Sequence, residues 1–150
     1  MTTFMDLPIG GNRKLIAAAS NYTSSTNLTP MTLVKMEEDP RVTVENGEIT
    51  FSATTKVLVQ FAVQYPVTSG TVQAITIASQ LSDNGSYVGD IRHTFDRSTS
   101  QYAQMYETNV GGQPAAYTFN KGYKLYSFNS YYGSSSDKKA TCYMFIYIWE

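Results

Sequence analysis

"TCYMFIYIW", residues 141–149, carries no charged side chain, and its reading decides the fold. Successive side chains of a β-strand point to opposite faces, so a strand with one wet side alternates apolar with polar. Here Cys142, Met144, Ile146 and Ile148 share one face, while Tyr143, Phe145, Tyr147 and Trp149 share the other. Both faces call for cover. A helix would be apolar all round, and nine residues fall well short of a membrane span. The wealth of β-branched and aromatic residues selects a strand.

Working outward, the rest of the chain repeats the strand signal. In "RVTVENGEITF" (41–51), Val42 and Val44 alternate before Asn46-Gly47, and Ile49 and Phe51 alternate after it, which predicts a type I′ hairpin. "TTKVLVQFAVQYP" (54–66) puts Val57, Val59, Phe61, Val63 and Tyr65 on one face, opposite Leu58, Gln60, Ala62 and Gln64. "RKLIAAAS" (13–20), "MTLVKM" (31–36) and "TVQAITIASQL" (71–81) are further strands, the last ended by the turn "SDNGSYVGD" (82–90). "IRHTF" and "QYAQMYETNV" form two strands around "DRSTS", with boundaries between 91 and 116 left open. "AAYTFNKGYKLYSFNSYY" (115–132) is a strand pair or one bent strand around Lys121-Gly122. Short strands with turn signals and no helical period imply an all-β sandwich or barrel. With no repeat and no linker, one domain is expected over 13–150, preceded by an extended arm at 1–12.

Composition narrows the function. The chain has 150 residues, 42% of them apolar and only 15% charged, so its polarity comes from hydroxyls and amides. A typical chain is about a quarter charged. A net charge of −1 argues against nucleic acid, since phosphate binding needs clustered Lys and Arg. No run is long enough to cross a membrane as a helix, and "RKLIAAAS" is too short an apolar core for a signal peptide, so no membrane insertion and cytoplasmic synthesis are expected. The sequons at Asn21, Asn27 and Asn84 then read as chance matches. Cys142 is the single cysteine and sits in the most apolar strand, which predicts a buried structural thiol.

The doubled apolar face recurs in "YKLYSF", where Tyr126 and Phe128 oppose Tyr123 and Leu125. Two such strands would expose more than the ~300–600 Å² of contiguous apolar surface usual on a monomer. Cover could come from the arm's own Phe4, Met5, Leu7 and Ile9. A subunit interface is the stronger expectation, because Tyr, Trp, Phe and Met are the residues enriched at interface cores.

Three segments in order resemble the trimeric jelly-roll superfamily of tumour necrosis factor and the complement globular heads. "NGEITFSATTKVLVQFAVQY" is similar to its Asn-Gly, strand, turn and long central strand. "YTFNKGYKLYSF" is similar to its apolar segment around a conserved-type Gly, although Tyr123 stands where the family has Asp. "ATCYMFIYIWE" is similar to its closing strand in the centre of the inner sheet. The resemblance implies an antiparallel two-sheet jelly-roll homotrimer with inner sheets facing the threefold axis. Tyr143, Phe145, Tyr147, Trp149, Tyr126 and Phe128 are then the candidate oligomer interface. Such heads occur on phage fibres and capsid decorations, so the expected role is a non-enzymatic bacteriophage virion protein, joined to other virion proteins through its N-terminal arm.

Other chemistry is thin. His93 is the single histidine, expected on a strand surface, and rules out a His cluster for a metal. No nucleophile-elbow pattern supports catalysis, and no cofactor is expected. Glu37, Glu38 and Asp39 read as a solvated turn. Asp83, Asn84 and Asp90 lack the loop spacing of a calcium site. Tyr87, Tyr106, Tyr131 and Tyr132, placed near loops rich in Ser, Asn and Gly, are candidate contacts for a receptor or host-surface glycan.

Overall fold

A computed structural model describes residues 5–6, 12–23, 25–65, 74–96, 103–132 and 140–149. In chain order the strands are β1 (Met5–Asp6), β2 (Arg13–Tyr22), β3 (Thr29–Met31), β4 (Val34–Lys35), β5 (Val42–Glu45), β6 (Glu48–Phe51), β7 (Thr55–Gln64) and β8 (Ala74–Asp83). They continue as β9 (Ser86–Asp96), β10 (Ala103–Glu107), β11 (Asn109–Val110), β12 (Gln113–Pro114), β13 (Ala116–Phe119), β14 (Tyr123–Tyr132) and β15 (Thr141–Trp149). No helix occurs among the described residues.

The strands form two antiparallel sheets. The first runs β1-β13-β7-β15-β2-β4, with β10 also paired to β7, and the second runs β5-β6-β14-β8-β9, with β3 also paired to β14. A small β11-β12 hairpin stands apart. This is an antiparallel two-sheet jelly-roll sandwich, with the closing strand β15 central in its sheet between β7 and β2.

The core follows from the alternation. Cys142, Met144, Ile146 and Ile148 are all fully buried, and face inward with Val57, Val59, Phe61 and Val63 of β7. Ile75, Ile77, Leu81 and Leu125 complete the core from the other sheet. Phe51 and Phe119 meet edge to face across the layers, 5.4 Å between ring centres. Burial pushes the Cys142 thiol up to about 12, so it stays protonated and serves packing.

Local turn chemistry fixes register. Asn46 (φ 54°) and Gly47 (φ 78°) occupy the left-handed region that a type I′ turn demands, and Glu45 pairs with Glu48 as expected. Asn84 (φ 51°) and Gly85 (φ 84°) repeat the device between β8 and β9. The turn expected over 82–90 is therefore two residues long, and Tyr87–Asp90 belong to β9.

Two other segments differ from the sequence reading. Residues 115–132 are not a strand pair: β13 joins β7 in the first sheet, whereas β14 lies between β6 and β8 in the second. The chain crosses between layers at 120–122, where the Gly122 amide (φ 94°) donates to the Phe51 carbonyl at 2.7 Å. Residues 31–36 split likewise, since β3 pairs with β14 and β4 with β2. Of the expected arm, Met5–Asp6 pair with Tyr117 and Ala116 at the edge of the first sheet. Phe4, Leu7 and Ile9 lie outside the described residues.

Candidate functional site: the outer face of the first sheet

Alternation leaves Tyr143, Phe145, Tyr147 and Trp149 on the outer face of the first sheet, each half-buried in the single chain. Register places Tyr147 between Leu58 and Leu15, Phe145 between Gln60 and Ala18, and Tyr143 between Ala62 and Ser20. The apolar band continues at both sides. Met105 pairs with Ala62 and is 66% exposed, and Val34 pairs with Ala18 and is 57% exposed.

The aromatic rings support one another: Tyr143 and Phe145 lie parallel, 6.3 Å between centres and 5° apart in plane. Arg13 lies across this face, with its guanidinium 4.7 Å from the Tyr147 ring centre and 2.6 Å from the Glu107 carboxylate. Its stem thereby shields apolar surface while its charge is paired. The Tyr143 hydroxyl donates to Gln64 Oε1 at 3.3 Å. These polar groups hold the aromatic surface in place and leave most of it apolar.

Tyr126 and Phe128 stand elsewhere. On β14 they point away from buried Leu125, Ser127 and Asn129, so they lie on the outer face of the second sheet. Phe128 flanks Pro30 and Ala78, and Ala78 is fully buried there. The six candidate interface residues thus divide between two opposite faces.

The candidate contact tyrosines are in strands and do not form one surface. Tyr87 in β9 and Tyr132 at the end of β14 are 65% and 81% exposed. Tyr131 is half-buried and packs on the core. Tyr106, in β10, is stacked between Phe61 (6.0 Å) and His93 (4.1 Å, 8° between planes). His93 is on a strand as expected, but half-buried and not fully exposed. It shares the inward face of β9 with buried Ile91 and Phe95, and desolvation lowers its pKa against the opposing pull of Asp96.

Asp39 corrects the picture of a solvated acidic turn. It is 7% exposed, pairs with Arg41 at 2.8 Å and with Lys14 at 3.2 Å, and accepts from the Arg41 backbone amide. The bonds from Arg41 hold its carboxyl well below the ordinary range. Arg41 also donates to the Trp149 carbonyl at 2.7 Å, tying the start of β5 to the end of β15. Among the described residues no group of three or more His, Cys, Asp or Glu could hold a metal. Asp90 pairs with Arg92 at 2.9 Å, and Asn84 is spent on its turn.

Leu15, Ala18 and Met105 are the members of the face that sequence reading did not assign, whereas Leu58 and Ala62 were expected opposite the inward row of β7. Leu58 carries a usable signal, since "VLV" breaks the alternation of β7 and Leu58 is fully buried on the outer side.

No protein-family model matches the chain, and no curated protein matches it. Among solved structures the chain is similar to Eiger TNF from S. frugiperda, at 11% identity and a TM-score of 0.49, over 91% of this chain and 93% of that one. The fold assignment itself rests on the strand order and register given above.

Proposed function

We propose that the chain is the head of a homotrimer, a non-enzymatic structural protein carried on a virion surface as a fibre head or capsid decoration. One observation carries the trimer: a continuous aromatic and aliphatic face centred on β15, which a soluble monomer would hold against water. The four rings are half-buried in the single chain, and their exposed remainder joins Met105 and Val34, 66% and 57% exposed, in one apolar surface. The central position of β15 favours threefold assembly, because in the jelly-roll superfamily that this chain resembles the sheet bearing the closing strand faces the threefold axis. Low charge and a surface of hydroxyls and amides suit a particle component. Residues 1–12 would supply the tether to other virion proteins.

Mass photometry and sedimentation of the purified chain test the assembly. The expected particle has three times the 16.7 kDa of one chain. A species that stays at one chain mass at micromolar concentration overturns the trimer and the virion role with it. Immunogold labelling of purified particles tests the location, with label on the particle surface expected.

A further inference from the structure

Where the chain crosses from β13 to β14, the two sheets part and leave a cleft of about 560 Å³. That volume lies within the ~300–1,000 Å³ of small-molecule sites. Its floor is apolar, made by Leu81 and Ile91 of the second sheet and Phe119 of the first. Tyr117 and Tyr123 form aromatic walls, Tyr117 nearly parallel to Phe119 at 6.2 Å. The rim is polar. Asn120 Nδ2 donates to the Tyr123 hydroxyl at 3.4 Å, and Thr54 and Thr118 also line the cleft.

Two features shape what the cleft accepts. A bulge in β9, where Leu81 pairs with Gly89 and Ser82 with Tyr87, leaves Val88 as the extra residue at the mouth. A Cβ on Gly89 would meet nothing within 4 Å, so the mouth is open there. Arg92 donates twice to Asp90, both times to Oδ2, at 3.2 and 2.9 Å. That ion pair lies on the outer face of the second sheet with Gln80, so its charges stay outside the cleft. A wholly apolar ligand would strip water from the amide and the phenols without replacing those hydrogen bonds.

We infer that this cleft is a binding site for a neutral saccharide, with sugar C–H faces against Tyr117 and Tyr123 and sugar hydroxyls on Asn120 and the tyrosine hydroxyls. Aromatic walls beside mixed donors and acceptors are what a ring with apolar faces and a hydroxyl edge requires. The phenol of Tyr117 is kept protonated, since burial raises its pKa, and so remains a donor at neutral pH. The site lies between the sheets and does not depend on trimer assembly, so the two proposals fail separately.

Saturation-transfer NMR of the whole chain with lactose, maltose and diacetylchitobiose tests it. At least one disaccharide should receive saturation and shift the Tyr117 and Tyr123 ring signals. Tyr123→Ala should weaken that binding about tenfold. Val88→Trp, at a position 46% exposed and so compatible with folding, should fill the mouth and abolish it. Asn120→Ala should weaken binding while circular dichroism stays unchanged. No transfer to any of the three sugars, transfer that survives Val88→Trp, or binding only of an apolar dye such as anilinonaphthalene sulfonate would each overturn the site.

Discussion

The two outer faces of the sandwich use the same alternation to opposite ends. On the second sheet, cross-strand polar pairs finish the surface: Lys124 reaches Glu48 at 3.3 Å, and the hydroxyls of Thr76 and Thr94 lie 2.9 Å apart. Tyr126 and Phe128 are isolated there among Gln80, Arg92 and Pro30. On the first sheet, four aromatic residues from one strand run side by side, flanked by Leu15, Leu58, Ala18, Ala62 and Met105. A lone aromatic residue on a polar sheet is ordinary surface. A row of them backed by aliphatic neighbours is a surface awaiting a partner.

Substitutions of one kind on different faces break this comparison most sharply. Ile146→Asp puts an unpaired charge in the fully buried core and should cost more than about 4 kcal/mol, leaving no cooperative thermal transition. Tyr147→Asp, one residue along, should keep the β-sheet circular dichroism yet reduce the particle to a single chain mass, because the charge then falls in the subunit contact. An assembled Tyr147→Asp protein would mean the wrong face has been assigned. Asp39→Ala leaves Arg41 and Lys14 without their shared carboxylate and should cost about 2 kcal/mol in urea unfolding.

The pH dependence is expected to have two steps of the same sign. His93 has a folded pKa below its ordinary 6.5, so the unfolded chain binds the proton first and stability falls as pH drops below that value. Asp39 has a folded pKa below 3.8, so its contribution is present above that value and is lost as pH falls further. His93→Phe should remove the first step from a urea-midpoint profile and leave the second. The smallest effect belongs to the second sheet: Tyr126→Ser should cost about 1 kcal/mol and leave the assembled mass unchanged.

Much of the sandwich was legible because some signals are local. Asn46-Gly47 dictates its own hairpin, and β7 and β15 show their inward faces by simple alternation. Asn84-Gly85 carried the same turn signal, but the polar residues around it made the turn look longer than it is. What could not be read locally was sheet membership. Tyr117 and Tyr123 are six positions apart, yet they enter different sheets because the partner strands β7 and β8 lie far off in sequence. The same limit hid the environment of Tyr106 and His93, which polar neighbours in sequence made look exposed and which stack on each other half-buried against the core. The face on the first sheet was half legible: its β15 row was plain, while Leu15, Ala18 and Met105 join it only through pairing. The cleft was invisible, since Ile91, Tyr117 and Tyr123 meet only once both layers are built.

The central place of β15 has a consequence for biosynthesis. Arg13 pairs with Trp149, and β7 and β2 have no hydrogen bonds to each other without the strand between them. A nascent chain must therefore hold both strands with open edges until residues 141–149 have cleared the ribosome. During that interval the polypeptide is a natural client for holding chaperones, and its yield should depend on them more than that of a fold built from neighbouring hairpins.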